Sequence, residues 1–335
     1  MDRSAAAAYV CAKAGGMLQK SFVGPRAAKL FSVHSLTELW SLLFSGEVPA
    51  VPEIMLADRI EQEAQGRFVA QYVKLIQNYS KPDDIFLTFL RSFEYENLKR
   101  IGAALATGRK EMPAVADIAP FAVIHYDRWP DIAAMTADTP FAWYDRVPSV
   151  SEQKDFDNRL DMQYMRELWT SANRLPGAER KPVVDFIAHE YAMQNVVWAL
   201  RLKVYYTMSP EQILPLLAYA DDRALPDDVL AGDAVAILNK DISNWEDWSG
   251  WKYAQLLNPH EEGTVWSVDP RWVELEARKR FNALMLRKFH AYPLSAMVLV
   301  SWFKIKQYEV SMIRTATESL RMNVENADAM KFAGL

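Results

Sequence analysis

His189-Glu190 opens like the zinc-protease pattern His-Glu-x-x-His, in which two imidazoles one helical turn apart hold the metal; residue 193 is Met, so the second ligand is missing. His34, His125, His260 and His290 are dispersed, with no cysteine or carboxylate at ligand spacing, and no metal site is assigned. The densest acidic group is Asp221-Asp222-Arg223 with Asp227 and Asp228, residue types that hold magnesium for diphosphate chemistry. Pro226 lies between the pairs and breaks the helix that would present both on one face, which favours a solvated acidic loop. A magnesium-dependent helical enzyme acting through Asp221, Asp222, Asp227 and Asp228 stays open as an alternative. Gly15-Gly16 lacks the Lys-Ser/Thr of a phosphate loop, and Cys11 has no neighbouring His or Asn to activate it. No catalytic residue and no cofactor is assigned, and Cys11 is expected to act as a small buried side chain.

The elements that must position any site are helices. In 335 residues that are 50% hydrophobic there are only 12 glycines, and Ala, Leu, Met, Glu, Lys and Arg abound, so the expected fold class is all-α. The net charge of −5 supplies no field for a polyphosphate, which argues against nucleic acid as a partner. A single cysteine suits a reducing compartment. Asp2 before the run Ala5 to Ala12 spoils the plan of a secretory signal, and the apolar stretch Ala291 to Phe303 falls short of the ~20 residues of a spanning helix. The expected location is cytoplasmic, with membrane contact only through a partner.

Three stretches are nearly alike: Ser92-Phe93-Glu94-Tyr95-Glu96-Asn97-Leu98-Lys99, Glu190-Tyr191-Ala192-Met193-Gln194-Asn195-Val196-Val197 and Gln307-Tyr308-Glu309-Val310-Ser311-Met312-Ile313-Arg314. Copies roughly a hundred residues apart are too widely spaced for common solenoids and suggest three similar sub-bundles about a pseudo-axis. Pro82, Pro182 and Pro293 each precede a copy, placing each on a helix whose start the proline marks. Ser35 with Glu38, Ser149 with Glu152, and Ser209-Pro210 with Gln212 carry helix-start spacing. From Pro293 onward, Leu294, Val298, Trp302, Ile305, Tyr308, Met312, Ala316 and Leu320 recur at threes and fours. Lys304, Gln307, Ser311, Arg314, Glu318 and Arg321 are expected on the opposite, polar face of a helix of seven or eight turns. Between the copies lie a proline-rich segment, Glu111 to Val150, and an irregular one, Asp221 to Pro270, with Trp245, Trp248, Trp251 and Trp266. The three-apart tryptophans 245, 248 and 251 read as a packed cluster on a short helix, with an exposed interface as the alternative.

The recurring aromatic–Glu–x–x–Asn–aliphatic–basic pattern, the closing Tyr292-Pro293-Leu294 through Arg314, and the opening Tyr9 to Met17 followed by Leu36 to Leu43 resemble the C subunit of A/V-type ATPases, whose vacuolar equivalent is the d subunit. The resemblance runs from about Tyr9 to Val324. It implies three pseudo-repeated helical bundles arranged as a funnel, expected here as 1–112, 113–225 with the proline-rich connection, and 226–335 with the tryptophan-rich connection. It further implies a non-catalytic rotor component that links the central shaft subunits to the membrane rotor ring and sits peripherally on the inner face of the membrane. Phe93, Asn97, Leu98, Tyr191, Asn195, Val196, Tyr308, Met312 and Ile313 are then expected as packing and helix-register residues. Ala192 in place of Glu, Met312 in place of Asn, and Lys13 and Gly15 where the family tends to carry Arg-x-Arg are departures. A helical adaptor unrelated to rotary motors is the alternative reading.

Overall fold

The computed structural model describes residues 1–221, 225–261 and 263–335. Asp222 and Arg223, from the acidic group noted above, lie outside the described residues. Helices are the regular elements, with no strand among the described residues. In chain order they are α1 (Arg3–Leu18), α2 (Leu36–Leu43), α3 (Glu53–Ile76), α4 (Asp84–Ala106), α5 (Ile132–Thr136), α6 (Gln153–Asn173), α7 (Arg180–Tyr205), α8 (Pro210–Ile213), α9 (Gly232–Val235), α10 (Trp245–Ser249), α11 (Pro270–Ala291), α12 (Ala296–Arg321) and α13 (Asn326–Ala333).

Local chemistry sets the boundaries. The Ser35 hydroxyl accepts from the Glu38 amide (3.2 Å), and the Glu38 carboxylate reaches back to the His34 amide (2.8 Å), opening α2. Ser209 and Gln212 form a reciprocal box at α8, yet the helix stops after Ile213, because Pro215 has no N–H to continue the ladder and the chain passes into a 3-10 turn. At Ser149 the Glu152 carboxylate takes the Ser149 amide and hydroxyl, so the pair makes a turn and α6 starts one step later.

The three motif copies lie on α4, α7 and α12. Six long helices touch in a closed order: α3 packs on α4, α4 on α6, α6 on α7, α7 on α11, α11 on α12, and α12 back on α3. A central core takes residues from the N-terminal halves of α4, α7 and α12 and from α1 and α3. Each motif helix then runs outward into a separate cluster. The end of α4 packs with Ile124, Met135, Phe141 and Tyr144; the end of α7 with Ile213, Ala231, Trp248 and Trp266; the end of α12 with Phe22, Leu30, Leu39 and Ile60. The last of these is built from the start of the chain.

The polar face expected along α12 does not extend over its first half. Every residue from Ala296 to Lys306 is buried, including Lys304 and Lys306, because α1, α3, α4, α7 and α11 all pack on it. Gln307, Ser311, Arg314 and Arg321 are exposed as the spacing predicts.

Candidate functional site

The motif positions pin loops as well as pack. Asn97, 1% exposed, donates Nδ2–H to the Ala116 carbonyl (2.9 Å) and to the Tyr126 hydroxyl (2.8 Å), while its Oδ1 accepts from the Ala116 amide (2.8 Å). Asn195 does the same on α7: Nδ2–H donates to the carbonyls of Ala218 and Leu230 (2.8 Å each) and Oδ1 accepts from the Ala218 amide (2.9 Å). A primary amide can return a donor and an acceptor, on two separate atoms, to a single backbone residue without carrying charge. In the third copy this position is Met312, buried in apolar surroundings.

The Glu position acts in the first and third copies. Glu94, on α4, accepts from the amides of Val123 (2.7 Å) and Ile124 (2.9 Å). Glu309, on α12, accepts from the Phe22 amide (2.6 Å) and pairs with Lys306, whose ammonium also reaches the Ser21 hydroxyl (3.1 Å). On α7 the position is Ala192, and the loop supplies its own acid: Asp228 accepts from the amides of Ala220, Leu230 and Ala231. Asp228 thus meets the same loop that Asn195 holds. Its acceptor sites are turned to backbone, and among the described residues no cluster of His, Cys, Asp and Glu is placed to hold a metal ion.

The aromatic and aliphatic positions bridge the core clusters. Phe93 meets Phe68 (5.4 Å between centroids) and Phe303 (5.9 Å), Tyr191 and Tyr308 border the central core, and Leu98, Val196 and Ile313 belong to the outer clusters. Burial pushes the Tyr191 phenol well above its ordinary range.

Lys304 joins all three motif helices. Its ammonium lies 2.7 Å from Glu190 Oε1 on α7 and 5.3 Å from the centre of the Phe89 ring on α4. Sequence reasoning misses this junction: Glu190 draws notice only through a failed zinc motif, and Lys304 falls on the expected solvent face. The usable signal is a lysine set between Phe303 and Ile305 at the end of a run, Ala296 to Phe303, that is apolar except at Ser301.

Of the tryptophans, Trp248 is fully buried and donates to the Asp241 carbonyl (2.6 Å), and Trp251 meets it edge-on at 5.4 Å. Neither offers free surface to a partner. Trp245 is partly buried, stacked on His260 (5.1 Å) and edge-on to Trp266 (5.0 Å). Cys11 is half-buried beside the central core.

No helix among the described residues is long and apolar enough to cross a membrane. An uncharacterized protein of Treponema pallidum (strain Nichols) is 26% identical to this chain over 336 residues, covering 100% of the chain and 98% of its own length. The family model described as ATP synthase (C/AC39) subunit matches residues 11–332, so the chain belongs to that family, the C or d subunit of the V-type ATPase rotor stalk, whose role is structural and not catalytic.

Proposed function

We propose that this chain is a rotor collar that joins the central shaft subunits to the membrane ring of a V-type ATPase, on the cytoplasmic face, and passes torque between ATP hydrolysis or synthesis and ion movement. Family membership supports the assembly. The observation that carries the mechanical reading is the Lys304 junction, where one buried ammonium engages α7 and α4 from α12 and ties the three motif helices into one body.

The collar is best divided otherwise than at residues 112 and 225. Each unit is a motif helix, an irregular segment and a return helix: α4 to α6 (84–173), α7 to α11 (180–291), and α12 with α3, whose irregular segment (22–52) comes from the start of the chain. Short links join each return helix to the next motif helix. In this reading the repeat is threefold but circularly shifted, and the closed order of helix contacts supports it.

The test is reconstitution of the complex with and without this chain. It is expected to co-purify with shaft and ring, and its omission should leave ATP hydrolysis running while ion transport into vesicles stops. Equal transport without it, or association with neither partner, would overturn the reading.

A further inference from the structure

Helices α4 and α6 run antiparallel, in a register marked by the ion pairs Asp84–Arg174 (3.5 Å), Arg91–Glu167 (3.2 Å) and Lys99–Asp161 (2.5 Å). Along their seam opens a groove of about 640 Å³. Arg159, Gln163, Arg166, Thr170 and Arg174 follow one another on α6 at steps of three and four, so they share one helix face, and all of them line the groove. At about 1.5 Å per residue, the stripe from Arg159 to Arg174 is ~22 Å long.

A chain of hydrogen bonds fixes the middle of the groove. Trp143 Nε1–H donates to Gln163 Oε1 (2.6 Å), and Gln163 Nε2–H donates to the Pro140 carbonyl (2.9 Å) and to Glu167 Oε1 (3.0 Å). Glu167 Oε2 accepts from Arg91 (3.2 Å), so both oxygens of this carboxylate are engaged. The Arg159 guanidinium lies over the Trp143 indole, 3.8 Å from the ring centre. Stacking uses the flat face of the guanidinium and leaves its N–H edge for an acceptor, and no carboxylate among the described residues supplies one. At the other end, the side chains of Arg174 and Asp84 are 68% and 59% exposed. Water screens that pair, and Arg174 can take another carboxylate at little cost.

We propose that the groove receives an acidic helix of a partner protein, with carboxylates over Arg159 and Arg174 and uncharged residues passing over Glu167. The seam of two antiparallel helices is a shape that a third helix fills. Two carboxylates two heptads apart on such a helix are ~21 Å apart, close to the length of the stripe, and no contact is required of Arg166 between them. A small anion reaches one end only. A nucleic-acid strand would bring phosphate against Glu167 as well, and the chain's net charge of −5 gives it no field to follow. The proposal does not rest on the rotor reading, since binding is measured on the isolated chain and needs no shaft, ring or transport.

The full-length protein is titrated into a fluorescein-labelled, alanine-rich helical peptide with glutamates at successive heptad positions, and into an isomer of the same composition with its glutamates spread round the helix. Binding is read as fluorescence anisotropy. Saturable one-to-one binding of the striped peptide is expected, at least about fivefold tighter than that of the isomer and weakening as ionic strength rises. Arg159→Gln with Arg174→Gln, both at exposed positions, should weaken it about tenfold with the melting temperature kept within a few degrees. Arg271→Gln with Arg287→Gln, exposed positions on α11 that make the same change of charge, should leave it as it was. No saturable binding, equal binding of the isomer, unchanged binding in the Arg159 and Arg174 double variant, or equal loss in the α11 double variant would each overturn the proposal. Displacement of the peptide by tripolyphosphate as readily as by its own unlabelled form would overturn it too, and would make the groove a place for small anions.

Discussion

Asn97 and Asn195 each return both halves of a backbone pair, to Ala116 and to Ala218, and a buried peptide left without those partners is costly. Asn195→Ala is expected to lower stability by about 2–3 kcal/mol in denaturant titration, because the Ala218 amide and two carbonyls lose their partners together. Asn195→Asp should be no milder at neutral pH, since a carboxylate would face the carbonyls of Ala218 and Leu230, and should recover on acidification as the acid gains a proton to donate. Glu94 offers a second test. Burial raises its pKa, and the amides of Ile124 and Val123 and the charge of Arg91 offset this only in part. The folded state therefore holds this proton to higher pH than the unfolded chain, whose value is near 4.3, and stability falls as pH rises through the interval between the two. Glu94→Gln should remove that slope, so the wild type loses ground to the variant from about pH 4.3 upward until Glu94 is ionised in the folded state. A flat difference across that interval would contradict the assignment. The asparagines are visible in the sequence as recurring letters. Their partners, 19 and 23 residues onward in irregular chain, carry no periodicity by which to find them.

Helix α12 changes character halfway, from burial on every side to one apolar face, and the change comes at Lys306. The heptad-like spacing from Val298 to Leu320 makes the helix and its length legible, because one stripe is enough to specify it. It does not report that other helices cover the remaining sides near the start, since that depends on chain returning from α1, α3, α4 and α7. Lys304→Met alone should destabilise the fold by about 3–5 kcal/mol, as it strands Glu190 in a dry site. Lys304→Met with Glu190→Leu should recover most of that loss, because two apolar groups of similar volume need no partner. A double variant as unstable as the single one would show that the pair does more than satisfy itself. On α4, Gly102 is explained by contact and not by flexibility: a Cβ there would run into the Tyr144 hydroxyl, with the ring carbon behind it at 3.2 Å. Gly102→Ala should cost about 1–3 kcal/mol despite the better helix propensity of alanine, and Tyr144→Phe in the same chain should restore part of it.

At the scale of the whole molecule, neighbours in space are not neighbours in sequence. Leu30 is fully buried in the cluster that also holds Met312, Ile313 and Ala316, about 280 residues away along the chain by the numbering of those residues. The similarity of three segments is legible; their pairing with the start of the chain is not, because hydrophobic runs there would suit any apolar face on offer. A chain start seated on α12 behaves in the opposite way to sequential units. If residues 1–112 closed on themselves, Leu30→Ala would loosen α4, the helix carrying the nearest motif. With the shifted arrangement, the cavity left by Leu30→Ala, costing about 2–5 kcal/mol, should instead raise amide hydrogen exchange in Ser311 to Thr317. Protection of α4 from Leu98 to Ala104 should stay near wild type, since that stretch packs into the separate cluster of Ile124, Phe141 and Tyr144. Faster exchange in α4 with α12 unaffected would refute the shifted repeat and return the boundary near residue 112. Exchange rising in both by the same factor would mean that the outer clusters open together through the central core, as one cooperative unit.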